Sequence, residues 1–488
     1  MGVADLVLGV DLGTTGFKAG AFDESGRLVA SGGTSYALDQ PHETWAEQPA
    51  ERWWEAFTTV LEQIRKRVDT RRIGALAVVS HSPTIVPVGA DGRSLRPAIT
   101  WADRRATEQV ARMAETLGAG NVNIEFDSLP RVLWIRDEEP AIYSDTALFL
   151  HPNEYLTYRL TGLAVTVEPL AGLAPWTDER IAGIGLERAK FPASLVGLGR
   201  PVGTVAPVVA SELGLSKETV VVSGTVDAFG HWIGVNLSGA GDFSNIGGTS
   251  EGFAYAADAA LVDPLFRIFG MHSPFGTGWV MGGASSNSGG LLDWTVARLF
   301  GRGATHAAVL AELATAPAGS GGLLALPYFR GERTPVYDSD ARGCFFGLTH
   351  RHGTTHMGRA LLEGVAFGLR QVISLVEELG GVVGRITVSG GTARADLWNR
   401  VKADVTGRPV HVPVVTDSGV LGAAILARAA TSGEDLRTVA ARMVHEREVI
   451  DPDPKNTVVY DQLYPLFRDL YEHLKEPYRH LAGFQRTA

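Results

Sequence analysis

Four short segments of this chain hold residue types that handle phosphate and hydroxyl groups. In Asp11-Leu12-Gly13-Thr14-Thr15-Gly16, a Gly- and Thr-rich turn offers successive backbone N–H groups and hydroxyls to phosphate oxygens. An Asp at the strand end can hold Mg²⁺ through water, because that ion keeps much of its hydration shell. A plain tight turn with an Asx-type hydrogen bond would use the same residues. That simpler reading loses ground because Gly247-Gly248-Thr249-Ser250 recurs at an equivalent place later in the chain. In Gly224-Thr225-Val226-Asp227-Ala228-Phe229-Gly230, a carboxylate at a strand-to-helix turn can take a proton from a substrate hydroxyl. A helix-start carboxylate is the commoner use of Asp at such a turn. In Ser389-Gly390-Gly391-Thr392-Ala393, paired glycines let a flat ring approach the backbone. A bare strand–helix turn explains the segment equally well. In Trp101-Ala102-Asp103-Arg104-Arg105, an aromatic face beside a carboxylate and a guanidinium could grip a polyhydroxylated ligand. A helix start with exposed charges is the more common meaning.

Other chemistries find no footing. There is no GxxxxGK[ST] loop and no GxGxxG fingerprint, which disfavours a P-loop kinase and a Rossmann dehydrogenase. There is no HExxH and no cysteine cluster, so a tight zinc site is not expected. His350, His352 and His356 are loosely spaced on a polar stretch and read as exposed loop histidines.

The elements that must position these residues alternate between strand and helix. Leu6–Asp11, Phe17–Phe22 and Arg27–Ala30 read as three strands joined by turns. A helix over 50–68 and a strand Ile73–Ser80 follow, and the alternation continues to about residue 160, an α/β pattern. The pattern restarts near 240. Aligning Leu12–Thr15 with Gly247–Ser250 suggests two diverged copies of one fold, with a boundary near 235 and domains of 1–235 and 236–488. Leu361, Leu362, Val365, Leu369, Val372, Ile373 and Val376 predict a long helix by their spacing. A strand Arg385–Ser389 and a helix Ala395–Val405 come after it.

Bulk properties agree with this scheme. With 488 residues, the chain exceeds the roughly 250–300 that one core supports, so two domains are expected. A formal charge of −10 argues against a nucleic-acid binder. The single cysteine, Cys344, permits no internal disulfide and reads as a buried, inert thiol in a reducing, cytoplasmic setting. Neither a signal peptide nor a membrane span is expected.

Together the motifs resemble the FGGY family of carbohydrate kinases over nearly the whole chain. Val10–Thr15 is similar to its first phosphate motif, Gly224–Asp227 to its catalytic segment and Gly247–Ser250 to its second phosphate motif. Ser389–Arg394, with Leu397-Trp398 and Ala403–Val410, resembles its adenosine motif. Leu326-Pro327-Tyr328, Gly331-Glu332-Arg333-Thr334-Pro335, Arg342-Gly343 and Phe346–Leu348 look most like xylulokinases, and Tyr155–Gly162 also resembles a family segment.

The resemblance implies two actin-like, ribonuclease-H-like α/β domains around a central cleft, with ATP and Mg²⁺. It implies Asp227 as general base toward a sugar or polyol hydroxyl and Asp11 as the metal residue. Gly13, Thr14, Thr15, Lys18, Gly248, Thr249, Gly390, Gly391 and Thr392 would hold the nucleotide. His81, Trp101, Asp103, Arg104 and Asp227 would meet the sugar. A homodimer is a family-level expectation. Departures fall on the sugar side. His81-Ser82 replaces the usual Met-His pair, Trp101-Ala102-Asp103-Arg104 is closer to gluconate-type relatives, and Thr166–Asp178 lacks the usual Ser/Thr/Asp-rich run. A pentulose such as xylulose is the expected substrate. The alternatives are a catalytically inactive sugar- or nucleotide-binding regulator on this fold and an actin-like ATPase.

Overall fold

Alternation of side chains along the first strand decides which face of its sheet carries chemistry. In β1 (Leu6–Leu12), the residues Leu6, Leu8, Val10 and Leu12 join one core with Trp53, Phe57, Val60 and Ile64 of the helix Ala50–Arg65. The period of two turns Gly9 and Asp11 to the opposite face. The computed structural model describes residues 5–118, 127–167, 176–301 and 303–487.

These residues form two compact units. One comprises 1–236 and 418–444, the other 237–417 and 445–488. The first unit holds a six-stranded sheet of β1, β2 (Gly16–Phe22), β3 (Leu28–Ser35), β4 (Ile73–Ser80), β5 (Pro201–Thr204) and β6 (Val220–Val226), in the order β5-β6-β4-β1-β2-β3. β1, β2 and β3 form an antiparallel meander; β4 lies parallel to β1, and β6 parallel to β4.

The helix Ser418–Ser432 covers the Gly9 face. A Cβ on Gly9 would lie 1.9 Å from the Val420 carbonyl oxygen. The same helix packs on Asp227–Gly234 through paired glycines. A Cβ on Gly422 would lie 1.9 Å from the Gly230 oxygen, and one on Gly234 would lie 1.8 Å from the Ser418 oxygen.

The second unit repeats the scheme. Its sheet contains β7 (Asp242–Gly247), β8 (Glu251–Ala257), β9 (Phe269–His272), β10 (Trp279–Ser285), β11 (Arg385–Gly390), β12 (Val410–Pro413) and β13 (Glu446–Ile450), in the order β9-β10-β8-β7-β11-β12-β13. β7, β8 and β10 form the antiparallel meander, with β11 parallel to β7 and β12 parallel to β11. The turns Gly13–Thr15 and Gly248–Ser250 thus join matching strands of matching sheets, as a duplicated actin-like fold requires.

Leu369, Val372, Ile373 and Val376 pack on Phe243, Phe253 and Ile386. Their helix begins at Thr354, earlier than the apolar spacing predicts, so His356 lies in its first turn and not in a loop. The helix predicted over 50–68 stops at Arg65. Cys344 is half-buried, and burial raises its thiol pKa, which keeps it protonated. Among the described residues, no helix is long and apolar enough to cross a membrane.

Candidate active site

In the first unit, the turn between β1 and β2 is held from three sides. The Tyr36 hydroxyl donates to the carbonyls of Gly13 (2.7 Å) and Gly16 (3.2 Å). The Gln48 amide donates to the Thr14 carbonyl and is itself held by Trp53 Nε1 (3.2 Å). Trp101 Nε1 donates to Thr14 Oγ1 (2.8 Å). Thr15 and Lys18 are exposed on this turn and strand.

Asp11, on the Gly9 face, meets the start of the helix Ser418–Ser432. A Cβ on Gly419 would come 2.5 Å from Asp11 Oδ2. Asp227 is the first residue of the helix Asp227–Gly234, since β6 runs through Val226, and its Oδ1 accepts from Ala228 N (2.7 Å). Desolvation pushes the Asp227 carboxyl up to about 6. His231 opposes the shift, and the negative charge of Asp11 adds to it. His231 Nδ1 is 2.8 Å from Ser418 Oγ. Asp11 and Asp227 therefore feel one another, which places two hard oxygen donors in one neighbourhood.

The Trp101 segment is rigid beneath and open above. Asp103 is buried, with both carboxylate oxygens engaged by Arg105 (2.7–3.0 Å) and Oδ2 also by Ala46 N (2.6 Å). The Arg105 guanidinium lies 3.7 Å from the Trp45 ring centre and 4.7 Å from that of Trp134, and pairs with Glu47 at 2.7 Å. The exposed charges that a simple helix start would show are absent at Asp103 and Arg105, while Arg104 is exposed and donates to the Trp101 carbonyl. Buried Arg131 donates to the carbonyls of Thr100 and Trp101.

Thr84 Oγ1 accepts from Trp101 N (3.2 Å) and lies 2.9 Å from His81 Nδ1. The other ring nitrogen is His81 Nε2. That atom is buried and has no hydrogen-bond partner among the described residues. Burial pushes His81 down to about 3, so the ring is neutral. The substrate-side departure over Thr166–Asp178 falls largely outside the described residues.

In the second unit, Gly248, Thr249, Gly391 and Thr392 line one cavity of about 440 Å³. Leu292, Ala307 and Leu310 form its apolar wall, and Asp293 and His306 pair at 2.7 Å on its edge. Gly390 has φ +78°, and a Cβ there would lie 2.4 Å from the Gly247 oxygen. The cavity thus sets an apolar wall against a Gly/Thr turn. Lys402, buried, donates to Asn245 Oδ1 (2.5 Å) and Glu251 Oε1 (2.8 Å) beneath the same turn.

Among the described residues no cluster of three metal-ligating side chains exists. Tyr36, Gln48, Thr84 and Lys402 escaped sequence reasoning. Tyr36, Gln48 and Lys402 act on residues far along the chain, whereas Thr84 bonds both His81, three residues away, and Trp101.

Known proteins align with the whole of this arrangement. The N-terminal domain model of the FGGY family of carbohydrate kinases matches residues 6–234, and its C-terminal domain model matches 243–431. The chain is 30% identical to a xylulose kinase of Klebsiella pneumoniae over 484 residues, covering 96% of this chain and 99% of that one. It is 31% identical to a gluconokinase of Bacillus subtilis (strain 168) over 510 residues, covering 98% of each. The crystal structure of gluconate kinase from Lactobacillus acidophilus superposes with a TM-score of 0.85 at 26% identity, covering 98% of this chain and 99% of that one. The ligand-bound xylulose kinase of the same organism gives 0.84 at 26% identity, with the same coverage. With both halves of one family matched in order, and the same duplicated sheet in each unit, this chain belongs to the FGGY family of carbohydrate kinases.

Proposed function

We propose that this kinase transfers the terminal phosphoryl group of ATP to a hydroxyl of a small sugar, a pentulose such as xylulose being the first candidate, with Asp227 as general base. The observation that carries the reading is the position of Asp227, at the turn from β6 into the helix Asp227–Gly234, where burial pushes its carboxyl up to about 6. A base with a pKa near the working pH is ionised when the hydroxyl arrives and still takes a proton readily.

Asp11 would hold Mg²⁺ through water, with Asp227 near it; the ion, when bound, would neutralise charge on the phosphoryl oxygens. In the first unit, Gly13, Thr14, Thr15 and Lys18 would bind phosphate oxygens; in the second, Gly248 and Thr249 would do so. Gly390, Gly391 and Thr392 would border the nucleoside. Little covalent work falls to the protein in phosphoryl transfer, so positioning and charge dominate.

On the sugar side, Trp101 and Arg104 would present the exposed ring and guanidinium, and His81 would contribute Nε2, which is buried and has no partner among the described residues. Asp103, fully engaged by Arg105 and Ala46 N, serves by holding this segment in shape. A boundary near 235 between two family domains, a cytoplasmic location and a homodimer belong to the same proposal, although 418–444 groups with the first unit.

The test is ADP release from Mg-ATP with D-xylulose, L-ribulose, D-ribulose, L-xylulose, L-fuculose, D-gluconate, glycerol, erythritol and no sugar. One strong responder is expected. ADP release unchanged without sugar would replace the proposal with an ATPase. ATP binding with no turnover across a widened panel would point to a regulator.

A further inference from the structure

The Gly331–Pro335 segment stands out in the sequence, yet the mechanism above gives it no task. We infer that Glu332 is a positioning residue for the nucleotide, clamping the loop that fixes the Gly248-Thr249 turn; this rests on the kinase reading.

Glu332 is buried. Its Oε1 accepts from Ser286 N (2.7 Å) and Arg333 N (2.8 Å), and its Oε2 from Ser285 Oγ (3.0 Å). The adjoining residues tighten the same joint. Asn287 Nδ2 donates to the Gly331 carbonyl (2.9 Å), Arg333 donates to the Ser285 carbonyl (3.0 Å), and Thr334 N donates to the Ala284 carbonyl (3.0 Å).

The loop so held, Ser285–Ser288, leads directly into the turn's own supports. Gly289 N donates to the Gly248 carbonyl (2.8 Å) and Gly290 N to the Thr249 carbonyl (3.1 Å). The approach is close enough that a Cβ on Gly289 would lie 2.5 Å from the Gly248 oxygen. Ser288 Oγ reaches Glu251 Oε1 (3.1 Å), just beyond the turn. Pinning Gly248 and Thr249 by their carbonyls leaves their exposed side free for the cavity they line. One carboxylate therefore controls where those carbonyls are fixed. A misplacement of about 1 Å in such a frame can cost on the order of 10²-fold in rate.

Glu332→Gln keeps an acceptor for one side of the clamp and loses it for the other. Ser285→Ala removes one contact and is the milder variant, to be read if the first does not fold. ADP affinity is measured by calorimetry without sugar, together with KM for Mg-ATP, KM for the sugar and the melting temperature. The expected result is about tenfold weaker ADP binding and a matching rise in KM for Mg-ATP, with the sugar KM within about twofold of the parent. Lower melting temperature with unchanged ADP affinity would overturn the inference and leave Glu332 a structural residue. Equal rises in both KM values would overturn it too. A parent chain that binds no ADP would sink the kinase reading and the inference together, whereas parent binding matched by both variants would sink the inference alone.

Discussion

Asp227 carries two predictions with opposite signs. Asp227→Asn should abolish sugar phosphorylation while ATP binding, followed by calorimetry, stays within a few-fold. The same variant should melt higher than the parent at pH 8 without nucleotide. A carboxyl whose folded pKa exceeds its unfolded value, about 3.9, costs the fold stability wherever it is ionised. For a shift to about 6 that cost is at most about 3 kcal/mol above pH 6, and it vanishes as pH falls below 4. The melting gap should therefore close toward pH 4; a constant gap would show another origin. In the parent, kcat/KM should fall on the acid side with an apparent pKa near 6. Asp227 was legible in the sequence as a carboxylate at a strand–helix turn, but its competing role as a helix-start residue could not be dismissed there. The structure sets it at the first helical position, where its Oδ1 accepts from Ala228 N. Thr84 was not legible. Its hydroxyl joins His81 to Trp101, and nothing in a single Thr announces a bond to a residue on another segment.

The turns and glycine contacts act as elements. Thr249→Val keeps the shape of the second turn and removes one hydroxyl. It should lower turnover roughly tenfold, the order expected for a lost hydrogen bond to a charged group, with no change in melting temperature. Unchanged kinetics would remove Thr249 from the phosphate contacts. Gly422→Ala should act oppositely, on stability first. Its Cβ would fall 1.9 Å from the Gly230 oxygen, a distance that forces the helices Asp227–Gly234 and Ser418–Ser432 apart. A loss of about 1–3 kcal/mol is expected for such overpacking, read as a lower urea midpoint. Strands and the long helix were readable from period two and period 3.6. The start of that helix at Thr354 was not, because Thr354–His356 carry no apolar signal and enter the helix only as its first turn.

For the molecule as a whole, the duplication was visible in two four-residue turns, and the six-stranded sheet of the first unit matches all but the Phe269–His272 edge strand of the second. The sequence could not reveal that 418–444 groups with 1–236. An apolar helix in the second half reads the same whichever sheet it covers, and only the Gly9 face of β1 declares its owner. Residues 1–235 alone should consequently be insoluble or unfolded by circular dichroism. The same segment joined through a flexible linker to 418–444 should unfold cooperatively. Equal behaviour of the two chains would remove the helix Ser418–Ser432 from the determinants of that unit's stability.

The late arrival of that helix also has a consequence in time. A ribosome making this chain finishes the strands of the first sheet long before it reaches residue 444. At about 5–20 residues per second, the interval from residue 236 lasts roughly 10–40 s. Throughout it, the Gly9 face stays uncovered on the nascent polypeptide, an apolar surface open to any folding factor near the exit tunnel.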